Sequence, residues 1–272
     1  MSNENYRMSM VPIVPQNYLN LISKAKYHMA LAHLVGAPGM ETYTEFYMNC
    51  EGYVILDNGV IENAQVTMEE LVAKAAIIRA DEIILPDVYK DAKATYNRVK
   101  ESLQWLDTHE HSDFKIHVVP QGSSMEEWVK CAAALIHNFG MFIDTIGIPK
   151  HLIDTCQNRD ARLVAIKKLY DICPELDYYQ IHLLGCWKTP LEVLMIAKAS
   201  SQGLIPEIRS CDSAIAYVYA RKNLKFSDDD RPDSDPINFE NGPVENEMML
   251  QFNLAAWTDI GNPTTNRLIQ FV

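Results

Sequence analysis

The sequence contains no Cys-x-x-Cys or Cys-x-Cys pair. Its six cysteines, Cys50, Cys131, Cys156, Cys173, Cys186 and Cys211, are scattered through 272 residues, so neither a zinc knuckle nor a dithiol redox motif is legible. Such usage reads as buried thiols in a reducing compartment and predicts a cytoplasmic protein. No apolar run approaches the roughly 18 residues that span a bilayer, and the polar residues 1–10 are unlike a secretory leader. No glycine-rich fingerprint follows a strand pattern, which argues against a dinucleotide-binding sheet. Positive charge is scarce as well: 24 Lys and Arg stand against 36 Asp and Glu, a formal charge of −12. That average repels a polyanion, so contact with a nucleic acid would have to come from a local patch.

What is present is a 48% hydrophobic fraction, enough to fill a sizeable core. Short β-rich runs alternate with longer amphipathic ones, the pattern of a parallel sheet with crossover helices. Strands are expected at Tyr27–Leu34, Tyr53–Asp57, Glu82–Leu85, Lys115–Val119, Thr145–Ile148, Tyr179–Leu184 and Glu207–Ser210. Thr67-Met-Glu-Glu70 has capping-box spacing and opens a helix to about Arg79. Apolar residues at three-to-four spacing predict helices over Asp91–Leu106, Ser124–Phe139, Asp160–Ile172, Thr189–Ser200 and Val244–Trp257. An eighth strand–helix unit is expected in the first 25 residues or around Ala214–Tyr219. Eight units close an α/β (β/α)8 barrel, expected here as one domain over 1–272 with a mobile acidic loop at about 227–243.

Active sites of such barrels form at the C-terminal ends of the strands. The polar residues at those places are Asp57, Asp87, Gln121, His182 and Asp212. Taken singly, each Asp could cap the next helix or turn the chain. Asp57-Asn-Gly59 reads most like a turn, and His182 most like a satisfied core histidine. Their coincidence on successive strands is what selects them as a set.

In order, these motifs resemble the tRNA-guanine transglycosylase superfamily, including its relatives that insert 7-deazaguanines into DNA. Asp57-Asn-Gly59 resembles the family's Asp-Ser-Gly-Gly, and Leu85-Pro-Asp87 its base-reading aspartate. Val119-Pro-Gln-Gly122 resembles Val-Gln-Gly, Ile146-Gly-Ile148 a glycine-rich strand end, and His182-Leu-Leu-Gly185 the Tyr-Leu-Met-Gly motif. Thr189-Pro-Leu-Glu192 is similar to the start of the helix that follows, and Cys211-Asp-Ser213 to the nucleophile motif. The match runs from about Tyr53 to Ala220. It implies exchange of guanine in DNA or RNA for a 7-deazaguanine base, without a cofactor. Asp212 would be the covalent nucleophile and Asp57 the proton-transfer group. Asp87, Gln121, the Gly147 amide, Leu184 and Gly185 would form the base pocket.

The family's zinc signature is missing, so no metal is expected. Val60 and Ile61 replace a glycine and a stacking aromatic. Arg221, Lys222 and Lys225 are the expected phosphate contacts, and Tyr217, Tyr219 and Trp187 candidate stacking residues. The competing readings are an N-glycoside hydrolase using the same carboxylates and a catalytically silent partner subunit. A homodimer is compatible with each.

Overall fold

The computed structural model describes residues 7–59, 66–186, 190–226 and 236–261. Eight parallel strands run in the order β1 to β8: Ser9–Pro12, Tyr27–Leu31, Tyr53–Asp57, Glu82–Ile84, Lys115–Val118, Thr145–Pro149, Gln180–Leu184 and Ile208–Ser213. Each pairs with its sequence neighbours, and β8 returns to pair with β1, so the ladder is open only between β1 and β2, which abut. This is a (β/α)8 barrel. The missing eighth strand is the N-terminal one, and the segment that follows it is a 3-10 turn, Gln16–Ile22, where later units have helices. Ala214–Tyr219, the other location expected for that strand, instead contains most of a short helix.

The α-helices, α1 to α9 in chain order, are Glu41–Met48, Met68–Ile78, Ala92–Thr108, Met125–Phe139, His151–Cys156, Ala161–Ile172, Leu191–Ser201, Ile215–Arg221 and Glu247–Ile260. Among the described residues, no helix is long and apolar enough to cross a membrane. The Thr67–Glu70 capping box closes reciprocally at the start of α2. Asp91 and Ser124 cap α3 and α4 through their side chains, satisfying amides that a helix start leaves open.

Strand alternation divides each strand between two environments. One set of side chains packs outward against the helices in a large apolar layer. The other points into the barrel, where Val11, Met29, Leu31, Ile55, Ile84 and Val119 form a small apolar cluster. On the opposite arc the interior is polar. The register steps from Ile181 opposite Ile208 to His182 opposite Ser210, so Arg209 is the extra residue of a β-bulge. Its guanidinium bonds Glu82 with two nitrogens, at 2.6 and 3.0 Å, and Thr145 Oγ1 at 3.2 Å. It also lies over the rings of Tyr27 and Tyr53, and Tyr53 donates to Glu82 at 2.8 Å. Burial opposes the charge on Glu82, but the donors from His117 and Arg209 hold its carboxyl below the usual range.

Of the acidic loop expected at 227–243, residues 227–235 lie outside the described residues. The remainder makes defined backbone contacts. Asn238 Oδ1 accepts the amides of Glu240 and Asn241, each at 3.0 Å, and the Phe239 carbonyl accepts from the Gln16 amide at 2.9 Å.

Candidate active site

At the C-terminal ends of the strands lies a cavity of about 540 Å³, a size that suits a small-molecule ligand. Its apolar floor is built from the barrel's inward residues, among them Met29, Leu31, Ile84 and Val119. Asp57, Asp87, Gln121, Leu184, Gly185 and Asp212 all line it. Of the strand-end set, Asp57, Asp87, Gln121 and Asp212 therefore meet at one place, and His182 does not line it.

Asp87 sits at the back, 7% exposed. Asn58 Nδ2 donates to its Oδ1 at 2.8 Å, and Gln121 Nε2 donates to its Oδ2. Gln121 is oriented in turn by the Lys90 amide, which donates to Oε1 at 3.1 Å. Burial pushes the Asp87 carboxyl up to about 6, against the donors from Asn58 and Gln121 and the charge of Arg98, which pull it down. Asp57 ends β3 and accepts the Gly59 amide at 3.1 Å, so the turn expected at Asp57-Asn-Gly59 is also part of the cavity wall. Gly59 has φ +74°, a conformation glycine adopts without penalty.

Asp212 lies within β8, its side chain 11% exposed. His182 Nε2 is 3.0 Å and the Gly185 amide 3.1 Å from its Oδ1. Among the described residues no donor falls on Oδ2. His182 was expected to be a satisfied core residue. It is fully buried, but it is satisfied by the candidate nucleophile. Gly185 has φ +71°, and the stem of Lys150 crosses it so closely that a Cβ would lie 2.7 Å from Lys150 Cδ.

Three expectations need correcting. Gly147 does not line the cavity: it lies in the ladder opposite His182, where a Cβ would come within 2.7 Å of His117 Nε2. The absence of a side chain makes room for that ring. Arg221, Lys222 and Lys225 do not line the cavity either. Of helix α8, Ile215 and Val218 line the cavity and Arg221 at its end does not. Arg221 there bonds the Pro236 carbonyl, and Lys225 lies over Phe252 of α9. Tyr217 and Tyr219 of α8 are fully buried and do not line the cavity. Trp187, Thr189, Val60 and Ile61 lie outside the described residues.

The structure also adds residues that the sequence reading passed over. Tyr89, Lys150, His151, Asp154 and Phe239 line the cavity. Tyr89 is half exposed and meets His151 edge-on at 5.0 Å, with Lys90 Nζ 5.2 Å above its ring. Reading two residues past the end of β6 would have found Lys150 and His151, and five past the end of β4 would have found Tyr89. Phe239 had no such signal. Among the described residues no three His, Cys, Asp or Glu side chains converge as a metal site.

The sequence matches no protein-family model and no curated protein. Among solved structures it is similar to a mandelate racemase/muconate lactonizing enzyme homologue from Sorangium cellulosum, with 13% identity and a TM-score of 0.50, covering 78% of this chain and 55% of that one. It is also similar to dihydrodipicolinate synthase from Thermotoga maritima (13% identity, TM-score 0.48, 78% and 72% covered) and to the copper homeostasis protein CutC from Streptococcus agalactiae (10%, 0.47, 76% and 98%). Likeness at this level is likeness of fold, which hosts many chemistries.

Proposed function

We propose that the protein is a base-exchange transglycosylase that replaces guanine in a nucleic acid, DNA by preference, with a 7-deazaguanine base. The observation that carries this reading is the pairing, in one cavity, of a carboxylate, Asp212, whose Oδ2 takes no donor from the described residues, and a buried acceptor built from Asp87 and Gln121. An Asp carboxylate can accept from the donor-rich edge of a guanine-like base.

In the forward step Asp212 Oδ2 bonds the sugar C1′ as the bond from C1′ to the base nitrogen breaks. The electron pair leaves with the base, which takes a proton from Asp57. The incoming base then returns a proton to Asp57 as its nitrogen displaces Asp212 from C1′. Two displacements retain the sugar configuration, as in retaining glycosidases. Lys150, which lines the cavity, and Lys90, whose Nζ stands over the cavity-lining Tyr89, replace the Arg221 cluster as phosphate candidates.

Incubating the protein with radiolabelled guanine and a guanine-containing DNA or RNA stem-loop should place label in the strand. Release of guanine without uptake of label would assign the hydrolase reading instead. A strand left unchanged in both respects defeats the proposal.

Asp87→Asn supplies a donor where an acceptor stood, and the new amide faces the amides of Asn58 and Gln121. Guanine affinity should fall by about 1–3 kcal/mol, measured by calorimetry, and an unchanged affinity would remove Asp87 from the base site. The pH dependence follows from the raised carboxyl. With the folded value near 6 above an ordinary Asp near 3.9, the folded state holds the extra proton between those values. Stability therefore falls as pH rises from about 4 to about 6 and is level above. Guanine affinity should run the other way, rising through pH 6 as Asp87 ionises and reaching a plateau near 7. A profile flat from pH 5 to 8 would contradict this.

A further inference from the structure

We propose that His182 is a positioning residue for Asp212, held by a one-way chain of hydrogen bonds that starts at the Arg209–Glu82 ion pair and leaves Oδ2 of Asp212 as the attacking atom. The inference relies on the base-exchange reading only for what Asp212 attacks.

The direction of the chain follows from donor chemistry. An arginine has N–H donors and no acceptor, so in the 3.1 Å contact between Arg209 Nε and Ser210 Oγ the hydroxyl accepts. The hydroxyl proton is then aimed at His182 Nδ1, 2.7 Å away. Nδ1 is the lone-pair nitrogen, so Nε2 carries the proton and donates it to Asp212 Oδ1 at 3.0 Å. The Gly185 amide falls on the same oxygen. These are the residue types of a hydrolytic triad with their depths reversed. Ser210 is fully buried and has no access to a ligand, while the carboxylate stands at the cavity wall.

The origin of the chain is rigid. Arg209 is clamped by both oxygens of Glu82, by Thr145 and by two tyrosine rings. The charged and titratable groups around His182 are Asp212 and Arg209 on β8, His117 on β5 and, behind it, Glu82 on β4. The ring of His117 meets that of His182 edge-on at 5.5 Å. Its Nδ1 is 2.8 Å from Glu82 Oε1, and burial pushes its pKa down to about 4 against the neighbouring carboxylate. His117 is therefore neutral and adds no charge that would oppose the chain. Strand β6 contributes only Gly147 and Thr145 on this side.

Two donors on Oδ1 orient the carboxylate for attack and stabilise its negative charge when it leaves in the second displacement. Misplacement of a reacting group by about 1 Å can cost on the order of 100-fold.

The test compares His182→Leu, which has no donor, with His182→Gln, whose amide reaches the position of Nε2. Covalent adduct formation on a guanine-containing stem-loop is followed in a single turnover, alongside the guanine Kd and the Tm. Loss of the donor in His182→Leu should slow adduct formation about 10- to 100-fold with the Kd within about twofold, whereas His182→Gln should stay within about fivefold of wild type. Equal losses in two folded variants would overturn the proposal.

Nitrogen-15 NMR of the histidine rings supplies an assay independent of activity. His182 should show the Nε2–H tautomer and shift in Asp212→Asn; a proton on Nδ1 at neutral pH sinks the proposal whatever the enzyme does. A wild type that forms no adduct yet shows that tautomer would end the base-exchange reading and leave the positioning role standing. If His182→Leu does not fold, Ser210→Ala takes its place. Mixed tautomers and slower adduct formation support the chain, and an unchanged ring and rate refute it.

Discussion

Replacing Asp212 with Asn is expected to abolish base exchange, slowing it by on the order of 10³-fold or more, while the fold and guanine binding persist. Asn keeps an oxygen where Oδ1 stands, so the donors from His182 and the Gly185 amide both find their acceptor. The change falls on Oδ2, where an amide nitrogen with little nucleophilicity replaces the attacking oxygen. Asp57→Asn should differ in kind. Its carboxyl handles the proton of the leaving and incoming bases, so its loss slows both displacements, and a strand adduct can accumulate that the wild type turns over. A denaturing gel of each variant mixed with a guanine-containing stem-loop separates the two roles. A strand adduct that survives in Asp212→Asn would show that another residue attacks.

The largest loss of stability is expected at Arg162, far in sequence from any proposed chemistry. Its side chain is fully buried on α6 and pairs with Glu192 of α7, 2% exposed, through Nε at 2.6 Å and through Nη2. Its Nη1 gathers the carbonyls of Ile148, Leu184 and Gly185, where β6 and β7 end at the cavity. Arg162→Leu leaves a buried carboxylate without its cation, at a cost of about 3–5 kcal/mol. For a chain of this size that is a fall in Tm of on the order of 10 °C. The double substitution Arg162→Leu, Glu192→Leu removes both charges and should recover much of the loss, because burying an ion pair is itself costly. Denaturant titration of the three variants tests this. A single variant as stable as wild type would mean that the pair contributes nothing. The same substitution should weaken guanine binding, since it frees the carbonyl of Gly185, whose amide faces Asp212.

Local chemistry was legible without the structure. Residues Tyr53–Asp57 read as a short β-rich run and form a strand with those bounds. The Thr67 capping box opens a helix at the next residue, and the strand-end rule brought Asp57, Asp87, Gln121 and Asp212 to one cavity. Each of these signals lies within a few residues of chain, where period, caps and turns act.

Other elements carried too little local signal. Strand β1 is four residues long, too short to show a period. Helix α8 is buried on nearly every side, so it has no polar face to reveal its pitch, and its run of apolar and aromatic residues passed for strand or for stacking groups. Contacts between distant residues were hidden altogether. His182 and Asp212 are separated by 30 residues, Glu82 and Arg209 by 127. Whether they meet depends on the bulge at Arg209, which turns that side chain into the barrel, and on the closure of β8 onto β1. A one-residue slip in register reverses which face a side chain occupies. The sequence by itself therefore determined seven strand–helix alternations and the rim of carboxylates. The buried chain that orients Asp212 was decided only by the barrel's register, a property of all the strands together.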